Sequence, residues 1–144
     1  MDRMLDSGSV GPLYMRQPEI SALMVEAIRF REERGEYDLH SYVVMANHVH
    51  LLITPRVDVP RLMQSLKRFT AREANRILGL TGHPFWQEES YYRLVRDDKE
   101  FLRIVDYIEM NPVHTGLVAT PEEFLWSSAR PITNRPQDAI LPYK

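Results

Sequence analysis

Two histidines, His48 and His50, stand two apart in an otherwise apolar run, HVHLLIT. Side chains alternate across a β-strand, so in a strand both imidazoles project from one face while Val49, Leu51 and Ile53 point the other way, into a core. Two imidazoles side by side on a rigid strand can chelate a divalent cation. Spacing alone more often accompanies no metal. What raises the reading is context: a polar pair lies inside an apolar strand directly after Asn47, and burying two imidazoles without partners is costly. A second constellation is Tyr107 and Asn111, four apart near the end of a predicted helix and continuous with Arg103, so the three side chains share one stripe. A tyrosine hydroxyl has a pKa near 10 and is a weak nucleophile unless a metal ion or cation assists it. The functional reading is a nucleophile, Tyr107, beside a third metal ligand, Asn111. Spacing by itself favours a boundary tyrosine and a helix C-cap.

The elements that must position these residues follow from pattern. Pro18 to Arg34 reads as a helix, with Pro18 in its first turn, a stripe of Ile20, Leu23, Met24, Ala27 and Ile28, and Gly35 as its stop. Tyr37 to Met45 and His48 to Thr54 read as strands joined at Ala46–Asn47, either as a hairpin or as one long strand kinked at Asn47. Asp58 caps a helix running to about Leu78, with Leu62, Leu66, Phe69 and Ile77 inward and Gly79 at its end. A short strand falls near Tyr91 to Val95. Asp97 caps a third helix to about Met110, Glu100 completes a capping-box-like start, Phe101, Ile104, Val105 and Ile108 face inward, and Asn111–Pro112 ends it. Residues 1–17 read as an irregular arm, 18–130 as one domain and 131–144 as an irregular tail.

Composition bounds the function. At 144 residues and 44% hydrophobic the chain fits one compact domain. Mean hydropathy is −0.36, and no apolar run approaches the roughly 18 residues of a membrane span. No secretion signal is legible. There are no cysteines, which excludes disulfides and Cys-ligated metal sites and is compatible with a cytoplasmic protein. A net charge of −2 and a pI near 6.2 count mildly against a domain gripping long duplex DNA, though not against a local basic stripe. Such a stripe exists: Arg68, Arg72 and Arg76 recur every four residues, with Lys67 beside them and Glu73 among them. It reads equally as a phosphate-tracking surface or as a solvated helix face. Phe85, Trp86, Tyr91 and Tyr92 could stack unpaired bases, but Phe85 and Trp86 read better as core anchors.

Taken together, VVMANHVHLLITP and DYIEMNPVHTGLV resemble the signature strand and the tyrosine helix of the single-tyrosine HUH transposases. LMQSLKRFTAREANR and PFWQEESYYRLVRD fit between them in the same pattern, and the closest resemblance is to the REP-associated tyrosine transposases. The likeness runs from about Leu5 to Ser128. It implies an α+β fold, ferredoxin-like or RRM-like, with an antiparallel sheet and helices on one face. Relatives carry an N-terminal strand before the first helix; this chain begins near the segment between the two, so the expectation is either a truncated form that lacks the strand or a sheet completed differently. The resemblance places His48 and His50 on the metal-ligand pair, Asn111 on the third ligand and Tyr107 on the catalytic tyrosine, with Mg²⁺ or Mn²⁺ as cofactor. It makes Lys67 and Arg68 the favoured DNA contacts within the Lys67, Arg68, Arg72 and Arg76 group. The implied activity is cleavage and transfer of single-stranded or hairpin DNA through a 5′-phosphotyrosine link. A homodimer in which Tyr107 serves a neighbouring chain is open on this reading. Two other readings compete: a non-catalytic RRM-like module that holds hairpin DNA or RNA, and a metal phosphodiesterase that activates water.

Overall fold

The structure, a computed structural model, describes residues 3–9, 14–86 and 91–130; for residues 3–9 and Tyr91 it describes the backbone alone. The elements are β1 (Arg3–Ser9), α1 (Pro18–Glu33), β2 (Tyr37–Val44), β3 (His48–Pro55), α2 (Val59–Leu78), β4 (Tyr91–Leu94) and α3 (Asp98–His114), with single 3₁₀ turns at Tyr14–Arg16 and Pro121–Glu123. The four strands form one antiparallel sheet in the order β2-β3-β1-β4. The tail expected over 131–144 lies outside the described residues.

The N-terminal arm is the main correction. Residues 3–9 form β1, which pairs with β3 on one side and β4 on the other, so the first strand is present and central. RMLDSGS shows no clean alternation, and its glycine and serines favour turns. A strand flanked on both edges is held by main-chain hydrogen bonds, which no side-chain pattern announces.

β2 and β3 are a hairpin, not a kinked single strand. The Met45 N–H donates to the His48 carbonyl at 2.8 Å, and Val44 stands opposite Val49. The two-residue tip is pinned from outside, because the Met15 N–H donates to the Ala46 carbonyl.

The sheet separates two packed layers. On one face, Tyr42, Val44, Val49, Leu51 and Ile53 meet Ile20, Met24 and Ile28 of α1 and Leu62, Met63 and Leu66 of α2. Each fully buried aliphatic side chain there contributes about 1.5–3 kcal/mol. Phe85 closes this layer and stacks on Tyr14, while half-buried Trp86 donates from Nε1 to the Thr70 hydroxyl at 3.1 Å, so both act as anchors. Ile77, expected inward, is exposed, and buried Thr70 and Ala74 lie inward instead. On the opposite face, Val43, Met45 and Leu52 meet Ile104 and Ile108 of α3. Helices on one face therefore holds for α1 and α2, while α3 lies against the other.

α3 also runs further than expected. It continues through Asn111 and Pro112 to His114. A proline this close to a helix C-terminus removes one hydrogen bond, to the carbonyl four residues back, and its ring is buried. Asn111 is thereby inside the helix, one turn beyond Tyr107.

Candidate functional site

The alternation of β3 puts Val49, Leu51 and Ile53 under α1 and α2, and so turns His48 and His50 toward the α3 face. The two imidazole rings lie 4.7 Å apart, centroid to centroid. His50 is buried and His48 half-buried. His48 Nδ1 is 2.8 Å from the Asn47 side-chain oxygen. With that amide oxygen as acceptor, His48 donates from Nδ1 and its lone pair resides on Nε2, the arrangement that readies an imidazole for a cation. Sequence reading used Asn47 only as a turn residue. Its signal is its place directly before the first histidine, but its grip on the ring needs the bent tip to be seen.

α3 supplies the other half. Ile104 and Ile108 are its buried ridge, so Tyr107 emerges at the edge of the packed stripe, 48% exposed. Its ring meets that of His50 edge-on, with centroids 5.5 Å apart. Three of the residues singled out from sequence, His48, His50 and Tyr107, are thus brought together from two elements. Asn111 follows Tyr107 by one helical turn and is partly buried.

The start of α3 is fixed by carboxylates. Asp97 Oδ1 accepts from the Glu100 N–H at 2.8 Å. The Glu100 side chain does not return to the Asp97 amide as a capping box would. It reaches one residue further, accepting the Arg96 N–H at 2.8 Å, and pairs with the guanidinium groups of Arg93 (3.0 Å) and Arg96 (3.2 Å). The Arg96 amide first, and then the two guanidinium groups, hold its carboxyl down from 4.5 to about 2, against the opposing effect of burial.

The basic residues of α2 are not gathered with these groups. Lys67, Arg68, Arg72 and Arg76 ride on a helix that packs against the sheet face away from the histidines. Lys67 lies over the Trp86 ring at 5.4 Å, and Glu73 pairs with both Arg72 (3.3 Å) and Arg76 (3.2 Å).

Could the histidine site take a divalent cation? Two imidazoles on one strand face, one of them held by Asn47, suit such an ion. Among the described residues no group of three His, Cys, Asp or Glu side chains assembles.

Comparison with known proteins now bears on these features. The family model "Transposase IS200 like" matches residues 15–111, more than half of the chain, and its span takes in His48, His50, Tyr107 and Asn111. The chain belongs to the IS200-like transposase family. No curated protein matches it at a significant level. Among solved structures it is similar to a REP-associated tyrosine transposase bound to a REP hairpin, with a TM-score of 0.68 and 20% identity over 99% of this chain and 82% of that one. It is also similar to a transposase candidate from Deinococcus radiodurans R1, with a TM-score of 0.51 and 21% identity over 76% of this chain and 88% of that one. Such likenesses establish a shared fold. The assignment to the single-tyrosine transposases stands, and with it a transposase-like, nucleic-acid-handling role in general. No helix of the described residues is long and apolar enough to cross a membrane.

Proposed function

We propose that this family member is a metal-dependent, single-tyrosine nuclease and strand transferase acting on single-stranded DNA. The observation that carries the reading is the meeting of Tyr107 with the His48–His50 pair, ring against ring, from a helix and a strand that are distant in sequence. The strand order, with two helices on one face, fits the ferredoxin-like description.

In this mechanism His48, His50 and Asn111 would hold Mg²⁺ or Mn²⁺, and the ion would supply Lewis-acid stabilisation of charge on the scissile phosphate. Tyr107 Oη attacks the phosphorus in line. The bond from phosphorus to the 3′-oxygen breaks, leaving the 5′-phosphate on the tyrosine and a 3′-hydroxyl that takes up a proton, while the phenolic proton passes to solvent. Attack by another strand's 3′-hydroxyl on the phosphotyrosine reverses these bonds and transfers the strand. The exposure of Tyr107 gives DNA access to it, and its contact with His50 lets it serve the histidines of its own chain, with no tyrosine needed from a second copy. Hairpin DNA is the natural substrate class, given what the similar REP-associated structure binds. Lys67, Arg68, Arg72 and Arg76 would then follow the phosphates of DNA that wraps to the α2 side, with Lys67 and Arg68 outside the Glu73 pairs.

The test is incubation with labelled single-stranded hairpin DNA and Mn²⁺, followed by denaturing electrophoresis. A covalent protein–DNA adduct is expected with the natural chain and none with Tyr107→Phe. Cleavage without an adduct would assign the attack to water; binding without cleavage would assign a non-catalytic module.

A further inference from the structure

Beside Tyr107 a groove of about 350 Å³ opens between α3 and β4, lined by Arg93, Glu100, Arg103, Ile104 and Tyr107. Its position follows from register. Leu52 stands opposite Met4, and Met4 opposite Arg93, so Arg93 occupies the same cross-sheet row as Leu52 and shares its face with α3. The adjacent row runs from His50 through Asp6 to Tyr91. Arg93 therefore stands on the histidine face, one row along and two strands across. From the other wall, Arg103 precedes Tyr107 by one helical turn and projects along the same stripe.

The two arginines are presented differently. Arg93 is 54% exposed at its side chain, yet it is braced by Glu100, which is buried and itself fixed by the Arg96 N–H. Arg103 is exposed and has no partner among the described residues. Among the described residues Glu100 is the one carboxylate lining the groove, and it is already shared between Arg93 and Arg96. The groove thus offers net positive charge in a protein whose net charge is −2. Its size falls in the lower range of ligand clefts, which leaves room for a nucleotide unit. Guanidinium groups suit phosphate because their planar donors match its oxygens.

We propose that Arg93 and Arg103 form a phosphodiester subsite of the groove, holding the backbone of single-stranded DNA next to the phosphate that Tyr107 attacks, with Glu100 as the positioning residue for Arg93. The placement relative to the attacked phosphate rests on the proposed nuclease function; the anion subsite itself does not. It separates two tasks along one helix, with Arg103 holding the strand and Tyr107 reacting with it.

The test is fluorescence anisotropy with a labelled oligothymidylate of about eight nucleotides, without divalent metal, across a salt series. Natural protein should bind at low salt. Arg103→Ala and Arg93→Ala should each weaken binding about fivefold, and each should reduce the slope of log affinity against log salt by about 0.7, the value for one single-strand phosphate. Arg34→Ala, a loss of charge at the far end of α1, is the control. Glu100→Gln separates bracing from bare charge: bracing predicts weaker binding, whereas simple removal of a negative charge would strengthen it, and strengthening overturns the positioning role. Failure of the natural protein to bind, or arginine variants indistinguishable from Arg34→Ala, overturns the subsite. The hairpin adduct assay on the same proteins keeps the two ideas apart. An adduct with unchanged Arg103→Ala binding sinks the groove alone, and weakened Arg103→Ala binding without any adduct sinks the nuclease alone.

Discussion

At the residue scale, small side chains set the state of larger ones. Asn47 fixes one nitrogen of His48. Asn47→Ala should keep the fold, because Ala46 still anchors the tip through its carbonyl. It should also weaken Mn²⁺ binding by about ten- to hundredfold, as loss of such an outer partner usually does, read by calorimetric titration. An unchanged affinity would remove Asn47 from the site. Glu100 gives a pH signature. Its folded pKa, about 2, lies below the ordinary 4.5. The stability it contributes is therefore full above about 4.5 and is lost as pH falls through 4.5 toward 2. Thermal melts across that window should fall more steeply for the natural protein than for Glu100→Gln, which has no proton to take up.

At the element scale, α3 is placed by its two ends and its buried ridge. Asp97 caps the start, and Asp97→Ala should cost about 1 kcal/mol in urea denaturation. At the end of α2, Gly79 sits at φ 72° with its amide donating to the Asn75 carbonyl. Gly79→Ala should lower stability by about 1 kcal/mol, since only glycine takes this left-handed turn without strain. A variant as stable as the natural chain would show that the loop after α2 relaxes. The helix termini other than that of α3 were legible because capping residues and left-handed glycines have local causes. Pro112 misled, because a proline's effect depends on how much helix remains beyond it, and here only the last turn follows.

At the scale of the whole molecule, the sheet is the partition. α1 and α2 cover one face, α3 covers part of the other, and the histidines occupy the α3 side. The orientation of α3 is further set by the segment after it. The Trp126 carbonyl accepts from the Val44 N–H at 2.9 Å, and the Ser128 hydroxyl donates to Glu109 of α3 at 2.8 Å, with buried Ser41 joining at 3.3 Å. This ties the outer edge of β2 to the helix that carries Tyr107, two residues before Glu109. Glu109→Ala should cost about 0.5–1.5 kcal/mol, the net scale of a lost hydrogen bond, because the Ser128 hydroxyl keeps the Tyr42 carbonyl and Ser41 keeps Ser128, measured by thermal or denaturant unfolding. It should also slow adduct formation more than it weakens binding of the hairpin, because it loosens the reacting group and not the basic surfaces.

The sequence by itself determined what depends on near neighbours: the spans of α1 and α2, the two strands on either side of Ala46–Asn47, the apolar faces, and the alternation that puts His48 and His50 on one side of a strand. The motif likeness carried Tyr107 and the family. Only the tertiary structure decided which sheet face those histidines occupy, that Tyr107 stands against His50, and that the α2 arginines lie on the other layer. It alone showed β1 as a central strand, since main-chain pairing on two edges needs no pattern in the side chains. It alone set Arg93 and Glu100 against the Arg103–Tyr107 stripe across one groove. Local pattern settles how a segment turns its faces; which segments those faces meet depends on strand order and register, which pair residues far apart in the chain.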